Sequence, residues 1–199
     1  MHAFRRGKAP DCLNVWIASK GAYGNLPKEC KDAVRQDLMT SQEGYCAYCE
    51  ERPGGLNPST DHWHLEHHVP QSTGHGQLDW NNMIASCQSK KHCGHFKANR
   101  PDQIIDPSNS CPTDFLVLYS DGKLHARSML CNACCKLAND TIDVLNLNEV
   151  ALVRNRRKAI ERESKHKGVN LQARRIAFHD LLATKLKPQK PPARCPGCS

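Results

Sequence analysis

Cysteine spacing is the feature that most constrains the fold of this 199-residue chain. Cys46 and Cys49 form a CxxC pair, and Cys87 and Cys93 form a second, wider pair further along. Two such pairs can close one tetrahedral zinc site, with each thiolate about 2.3 Å from the metal. We therefore predict a structural Zn²⁺ at these four cysteines that fastens the two segments together. The alternative is that the four are unconnected buried cysteines.

The other cysteines give weaker signals. Cys12, Cys30 and Cys111 stand alone, and we interpret them as small buried apolar residues. The apolar run CLNVWIA near the start is short for a secretory signal, and no stretch approaches the length of a membrane span, so we expect a soluble, cytoplasmic chain without a membrane partner. In such a chain, cysteine pairs at metal spacing favour metal binding over disulfides. A second zinc site stays an open question for Cys131, Cys134, Cys135, Cys195 and Cys198.

A histidine-rich segment, DHWHLEHHVPQS at 61–72, lies between the two cysteine pairs. On a short strand, the neighbours Glu66 and His67 place their side chains on opposite faces. The carboxylate can bind a hydrated divalent cation, and the imidazole can serve as a general base for water. Because phosphodiester hydrolysis needs both functions, this pair predicts nuclease chemistry.

Such a site needs further groups. His92 and His95 flank the last cysteine of the second pair, and either could be the second ligand of the catalytic metal. Asn81 or Asn82 could hold the adjoining loop and orient His67 through its other ring nitrogen.

Three more histidines accompany Glu66 on its face of the strand. His64 could contact the metal's ligands or the substrate, and His68 could intrude as a ligand. The simpler interpretation, which also covers His62, is that all three are partly exposed strand histidines.

The flanking sequence indicates mainly helices. We predict a helix at 27–40 that starts at a proline, and a hairpin at 114–130 around an Asp-Gly turn. Thr141 could cap a short turn, Asn148 could cap a long helix through residue 165, and a last helix is expected at about 171–186. After the histidine-rich segment, DWNNMIASC at 79–87 should begin with a short helix or turn capped by Asp79. The stretch HFKANR at 95–100 should be helical up to Pro101.

Positive charge is concentrated at the end of the chain. Residues 1–150 contain 15 Lys and Arg against 17 Asp and Glu, whereas residues 151–199 contain 13 against 3, which gives the net +8. This surplus is either a solvated helix face or a surface that binds nucleic-acid phosphates. The candidate phosphate contacts are Lys97, Arg154, Arg156, Arg157 and Lys158.

The motifs together resemble an HNH endonuclease. Their order is CAYCE, EHHVPQS, DWNNMIASC and HCGHFK, followed by a hairpin and TIDVLNLNEVALVRNRRKAI. More narrowly, this order is similar to that of the PtuB-type HNH nucleases of Septu and retron anti-phage systems. The resemblance covers roughly residues 27–165, and the TIDVLNLN segment favours the narrower group.

The resemblance implies roles for particular residues. His67 would be the general base, Glu66 a metal ligand and Asn82 the structural asparagine, with Asn81 as its alternative. Many HNH proteins place the last His or Asn directly after the second-pair cysteine. Gly94 stands there in this chain, so we expect His95, or otherwise His92, to replace it.

The expected fold is α+β, namely a ββα-metal finger with a structural zinc knuckle, flanked by helices and a β-hairpin. The expected regions are a helical extension at 1–42, the nuclease core at 43–101, a hairpin and basic helical docking region at 102–190, and a Pro- and Cys-rich tail at 191–199.

The expected function is that of a metal-dependent endonuclease using Mg²⁺ or another divalent cation. DNA is favoured as substrate, and RNA stays open. The resemblance implies an effector subunit that works with a PtuA-type ATPase, with a reverse transcriptase and retron nucleic acid as further partners. The alternative is a non-catalytic zinc-stabilised module for nucleic-acid binding or assembly.

Overall fold

The computed structural model describes residues 1, 3–55, 59–74 and 76–167, with side chains up to residue 162. The helix predicted at 171–186 and the tail with Cys195 and Cys198 lie outside the described residues. No helix within the described ranges is long and apolar enough to cross a membrane. The main elements are α1 (Asp11–Ala18), α2 (Lys28–Ser41), β1 (Trp63–His67), β2 (Met83–Cys87), α3 (Cys93–Lys97), β3 (Leu116–Leu118), β4 (Leu124–Ala126), α4 (Asn132–Val144) and α5 (Val150–Lys167).

Helix α2 follows Pro27 directly, as the sequence predicts. Its buried side chains include Cys30, Val34 and Leu38, which recur every four residues and so lie on one face. Cys30 forms a disulfide with Cys12 of α1, with the two Cα atoms 5.8 Å apart. The prediction that these two cysteines are isolated apolar residues is therefore wrong. Cys111 remains a free, half-buried thiol.

Strands β1 and β2 form an antiparallel hairpin in which Glu66 pairs with Ile84 and His67 with Met83. The predicted turn before β2 is confirmed as a short 3-10 helix at Trp80–Asn82, capped by the Asp79 side chain. The strand that follows was not predicted from its own residues, because all five positions of β2 are buried and show no alternation.

Helix α3 has only five residues and ends at Lys97, before the predicted stop at Pro101. Ala98 has a φ of 50°, which takes the chain out of the helix. A five-residue helix is not stable alone, so its position depends on tertiary contacts.

The segment 144–147 holds both flanks of α3. The backbone N–H of Cys93 donates to Leu145 at 2.8 Å, and the Asn146 amide donates to the Lys91 carbonyl at 2.8 Å. The Arg100 guanidinium donates to the carbonyl of Val144.

The hairpin β3–β4 is confirmed. Asn148, predicted to cap α5, instead accepts from the Leu124 N–H at 2.8 Å and donates to the Leu124 carbonyl at 2.9 Å. Glu149 takes the capping role, since its carboxylate accepts from the N–H groups of Ala151 at 2.7 Å and Leu152 at 3.2 Å. The hairpin is thereby attached to the start of α5.

Thr141 lies within α4 and does not cap a turn, so that prediction is wrong. Its hydroxyl donates to the Leu137 carbonyl at 2.7 Å and accepts from the Ile105 N–H at 2.9 Å. At the start of α4, Cys131 and Cys134 are each part of a disulfide, and Cys135 is a free thiol. In that oxidised state neither Cys131 nor Cys134 supplies a thiolate for a second zinc.

Two apolar clusters lie on either side of the β1–β2 hairpin. One contains the four cysteines of the predicted zinc site together with Ile84, Leu145 and Leu152. The other joins α1 and α2 to Trp63, Leu65 and Met83. Helix α5 contributes to the first cluster, so its apolar face is part of the structure around the cysteines.

Candidate metal and nuclease site

Cys46, Cys49, Cys87 and Cys93 form a buried cluster whose sulfur atoms all lie within 4.8 Å of one another. The Sγ–Sγ distance is 3.9 Å between Cys46 and Cys93, and 3.9 Å between Cys49 and Cys87. Tetrahedral thiolates at about 2.3 Å from zinc lie about 3.8 Å apart. The donor set and its spacing therefore fit a structural zinc ion.

His92 belongs to the surroundings of this cluster. Its Nδ1 lies 3.1 Å from Cys93 Sγ and 3.7 Å from Cys87 Sγ. The Cys87 N–H donates to Cys46 Sγ at 3.3 Å. Such donors offset the charge of zinc-bound thiolates. The structure thus places His92 beside the cysteines and not beside Glu66.

Glu66 is a buried carboxylate with two partners. Its Oε1 accepts from Lys97 Nζ at 2.5 Å, and its Oε2 lies 3.1 Å from His64 Nε2. Lys97 is 1% exposed and also donates to the His67 carbonyl at 2.9 Å. The ammonium therefore compensates a buried carboxylate, and Lys97 is not at the surface where the sequence interpretation placed it for phosphate binding.

Gly94 leaves the space that the Glu66 and His64 side chains fill. A Cβ at this position would lie 2.7 Å from Glu66 Oε2 and 3.0 Å from His64 Cδ2. His95, the expected replacement ligand, instead stacks on the His64 ring with the ring centroids 4.0 Å apart. Its Nε2 lies 2.8 Å from the Gln88 side-chain oxygen. Within the described part of the chain, His64 is the histidine whose ring nitrogen lies within hydrogen-bonding distance of Glu66.

His67 lies on the opposite face of β1 and is buried. Its Nε2 donates to the Gln77 carbonyl at 2.8 Å, since a carbonyl can only accept. Its Nδ1 is then unprotonated and accepts from the Gln71 amide at 2.9 Å. Burial lowers the pKa of His67, which favours the neutral imidazole that a general base requires. The Tyr23 and His67 rings pack at right angles, with their centroids 4.7 Å apart.

Asn82 holds the loop that carries these partners. Its side-chain oxygen accepts from the Val69 N–H at 2.7 Å, and its amide donates to the carbonyls of Val69 at 3.0 Å and Gly76 at 3.1 Å. We expected Asn81 or Asn82 to orient His67 directly. In the structure the Gln77 carbonyl does so, and Asn82 acts one step further away, through the loop.

Replacing Asn82 by alanine should lower both stability and any hydrolytic rate. The change removes three hydrogen bonds, and leaving their backbone partners buried costs about 1–3 kcal/mol. Urea unfolding followed by circular dichroism measures the loss. Asn81→Ala is the control, because Asn81 is exposed and its N–H, not its side chain, bonds to Asp79. Equal stability of Asn82→Ala and the native chain would contradict this role.

The basic residues of α5 fall into two groups. Arg154, Arg157 and Lys158 are exposed. Arg156 is 3% exposed and donates to the Leu147 carbonyl at 2.6 Å, so it supports the fold and is not available to a phosphate. Beside the exposed group, Arg52 stacks over the Tyr45 ring at 4.4 Å in a shallow groove that Lys158 and Arg162 also line.

A four-cysteine cluster that joins a Glu-His strand hairpin to a short helix is consistent with an α+β HNH fold. The chain is 31% identical over 140 residues to the "Retron Vc95 putative HNH endonuclease" of Vibrio cholerae serotype O1 biovar El Tor. That alignment covers 66% of this chain and 65% of the relative, just under two thirds of the relative's length. No family model matches the chain. The similarity supports the HNH endonuclease superfamily, and it does not distinguish the PtuB type within it.

Proposed function

We propose that this chain is a metal-dependent HNH endonuclease that hydrolyses phosphodiester bonds of nucleic acid, with DNA as the favoured substrate. The carrying observation is that Glu66 and His67 occupy opposite faces of one strand, each held by its own partners. The name of the Vibrio relative agrees with this activity.

His67 is the proposed general base. With Nε2–H fixed on the Gln77 carbonyl, its Nδ1 can accept a proton from the attacking water. The Gln71 amide occupies Nδ1 and is the group that this water would replace. The Gln77 carbonyl would then stabilise the imidazolium. Glu66 would help hold a divalent cation, which supplies charge neutralisation at the phosphate and the leaving oxygen when bound.

The direct test of this proposal is incubation of zinc-loaded protein with plasmid DNA and, separately, with total RNA, with and without added divalent cation. Cation-dependent cleavage of either substrate supports an endonuclease, and the two arms determine the substrate. Binding without cleavage under every condition would favour the alternative of a non-catalytic zinc-stabilised module.

Lys97→Met should destabilise the protein strongly. Removing one partner of a buried ion pair typically costs about 3–5 kcal/mol, because the other charge remains buried. Chemical unfolding of the zinc-loaded variant measures this. Lys136→Met is the control, because Lys136 pairs with Asp140 at the surface and its loss should change stability little. If Lys97→Met kept full stability and lost only nucleic-acid affinity, the interpretation of Lys97 as a phosphate contact would be correct.

The exposed cations of α5 are proposed to contact the nucleic-acid backbone. Changing Arg154, Arg157 and Lys158 together to glutamate should weaken binding and reduce the slope of log K against log salt by about 0.9 for each duplex phosphate that is no longer neutralised. Fluorescence anisotropy at several salt concentrations measures both. These substitutions test the surface more cleanly than deleting residues 151–199, because α5 also packs Leu152 and Arg156 into the core. An unchanged slope would exclude this surface.

The assembly is a further part of the proposal. We propose that the chain is a cytoplasmic effector subunit of an anti-phage system with a PtuA-type ATPase, and that a reverse transcriptase and retron nucleic acid are further partners. The word "retron" in the relative's name is the support for this context. Co-expression with the neighbouring genes of its own locus, followed by affinity purification, tests the assembly.

A further inference from the structure

We propose that His64 is a ligand of the catalytic metal together with Glu66, and that this pair selects a transition-metal ion such as Mn²⁺ over Mg²⁺. This inference rests on the proposed function and specifies the metal site within it. It differs from the sequence interpretation, which favoured His95 and left the metal open.

The distance between the two donor atoms fits one ion. His64 Nε2 and Glu66 Oε2 are 3.1 Å apart. Two ligands at right angles, each about 2.1 Å from an octahedral cation, lie about 3.0 Å apart. The existing arrangement can therefore take a cation with little movement of either side chain.

The strand and helix bring the two donors together for local reasons. His64 and Glu66 are two residues apart on β1, so both side chains point to the face covered by α3. At the point of closest approach α3 has Gly94, whose missing side chain leaves room for both. The His64 side chain is 29% exposed and that of Glu66 is 6% exposed, so the pair lies at the edge of the protein with access from solvent.

His95 has a positioning role in this arrangement. Its ring stacks on His64 with an interplanar angle of 27°, and its Nε2 is engaged with the Gln88 side chain. Gln88 in turn donates to the carbonyls of Asp61 at 3.1 Å and Trp63 at 3.0 Å, which fixes it on the start of β1. His95 and Gln88 thus hold the His64 ring in its orientation.

The donor chemistry determines the metal preference. Mg²⁺ prefers an all-oxygen environment, whereas an imidazole nitrogen favours transition metals. A mixed imidazole and carboxylate pair should therefore bind Mn²⁺ or Ni²⁺ more tightly than Mg²⁺. The nearby thiolates are committed to the four-cysteine cluster and are not needed for this site.

A simpler interpretation is that His64 only donates a hydrogen bond to Glu66. His64→Gln separates the two, because its amide can still donate to the carboxylate but is a poor transition-metal ligand. His95→Gln is the matched control, since it removes the stacked ring but keeps the His64 imidazole as a possible ligand.

The experiment uses the full chain loaded with one equivalent of zinc and then titrated with Mn²⁺. Electron paramagnetic resonance measures the affinity, and electron spin-echo modulation detects a nitrogen bound to Mn²⁺. We expect nitrogen modulation in the native protein, its loss in His64→Gln with at least about tenfold weaker binding, and its retention in His95→Gln. Mg²⁺ should displace Mn²⁺ only at a large excess.

Other outcomes overturn the inference in distinguishable ways. Nitrogen modulation that disappears in His95→Gln but persists in His64→Gln would assign the ligand to His95 and leave the proposed nuclease function standing. Mn²⁺ binding without nitrogen modulation would leave an all-oxygen site and likewise contradict only the inference. Absence of Mn²⁺ binding, together with absence of cation-dependent cleavage, would contradict the proposed function itself.

Gly94→Ala provides an independent check of the same geometry. The three atoms nearest to the added Cβ belong to the Glu66 and His64 side chains, so the fold can adapt while the donor pair is pushed apart. We expect normal zinc content, a native circular dichroism spectrum and weakened Mn²⁺ affinity. Native Mn²⁺ affinity in this variant would contradict the donor geometry.

Discussion

His67→Ala is expected to abolish cleavage while leaving the fold and zinc content unchanged. Loss of a general base typically lowers the rate by about two to four orders of magnitude. The substitution removes an Nδ1 atom that is unprotonated and is held in place by the hydrogen bond on the other side of its ring. Single-turnover cleavage at saturating metal measures the effect, because it separates the chemical step from product release.

Two comparisons make this result specific. His68→Ala should keep most activity, because the proposed base is its neighbour, His67, and adjacent residues on a strand point to opposite faces. Glu66→Ala should be nearly inactive through loss of metal binding, and it should also lower stability because the Lys97 ammonium stays buried without its partner. In the folded fraction excess Mn²⁺ should partly restore activity, whereas metal should not restore His67→Ala. If His68→Ala were inactive and His67→Ala active, the assignment of the base would be wrong by one residue.

Cys49→Ser is expected to give unfolded or insoluble protein. Structural zinc contributes about 10–16 kcal/mol of apparent binding free energy in small zinc domains, and that energy stabilises only the folded state. Here the cysteines lie inside the larger apolar cluster, next to Ile84, Leu145 and Leu152. Removing one ligand therefore disrupts packing as well as the metal. Zinc content by mass spectrometry and solubility after expression measure the outcome.

Cys111→Ser is the matched control for this variant. Cys111 is a half-buried free thiol whose sulfur bonds to the hydroxyl of Thr113 within its own turn, so its replacement should change neither zinc content nor solubility. A Cys49→Ser protein that is soluble, contains no zinc and unfolds cooperatively would show that the cluster does not need metal.

The parts of the site that sequence predicted well are those set by local spacing. A CxxC pair brings two sulfur atoms together within one turn, and neighbouring residues on a strand alternate between faces. For these reasons the clustering of Cys46, Cys49, Cys87 and Cys93 and the opposite directions of Glu66 and His67 could be anticipated. The sequence pattern likewise predicted helix α5, and the Asp-Gly turn predicted the β3–β4 hairpin.

The parts that could not be predicted depend on how α3 sits on β1. In a five-residue helix no periodicity shows which side chain faces the strand, so the inward positions of Gly94 and Lys97 and the outward position of His95 had no signal. The burial of Arg156 within a run of basic residues is a similar case. The partner of His67 is a backbone carbonyl, that of Gln77, and a carbonyl is present at every residue, so side-chain identity could not indicate it.

The Cys12–Cys30 disulfide was missed for a different reason. Cysteine connectivity does not follow from sequence alone, and these two residues lie on separate helices that pack together only in the folded chain. Thiols are mostly reduced in the cytoplasm, so a chain that is expected there gives no reason to predict a disulfide.

The hydrogen bonds between segment 144–147 and the flanks of α3 have a practical consequence for protein engineering. A fragment ending at residue 101 would keep all four cysteines but lose every one of these anchors, and α3 is too short to hold its place unaided. A fragment that carries this site into another protein would therefore need to extend through Leu147. Fusion junctions and split-protein break points should therefore be placed after Leu147, and not at Pro101.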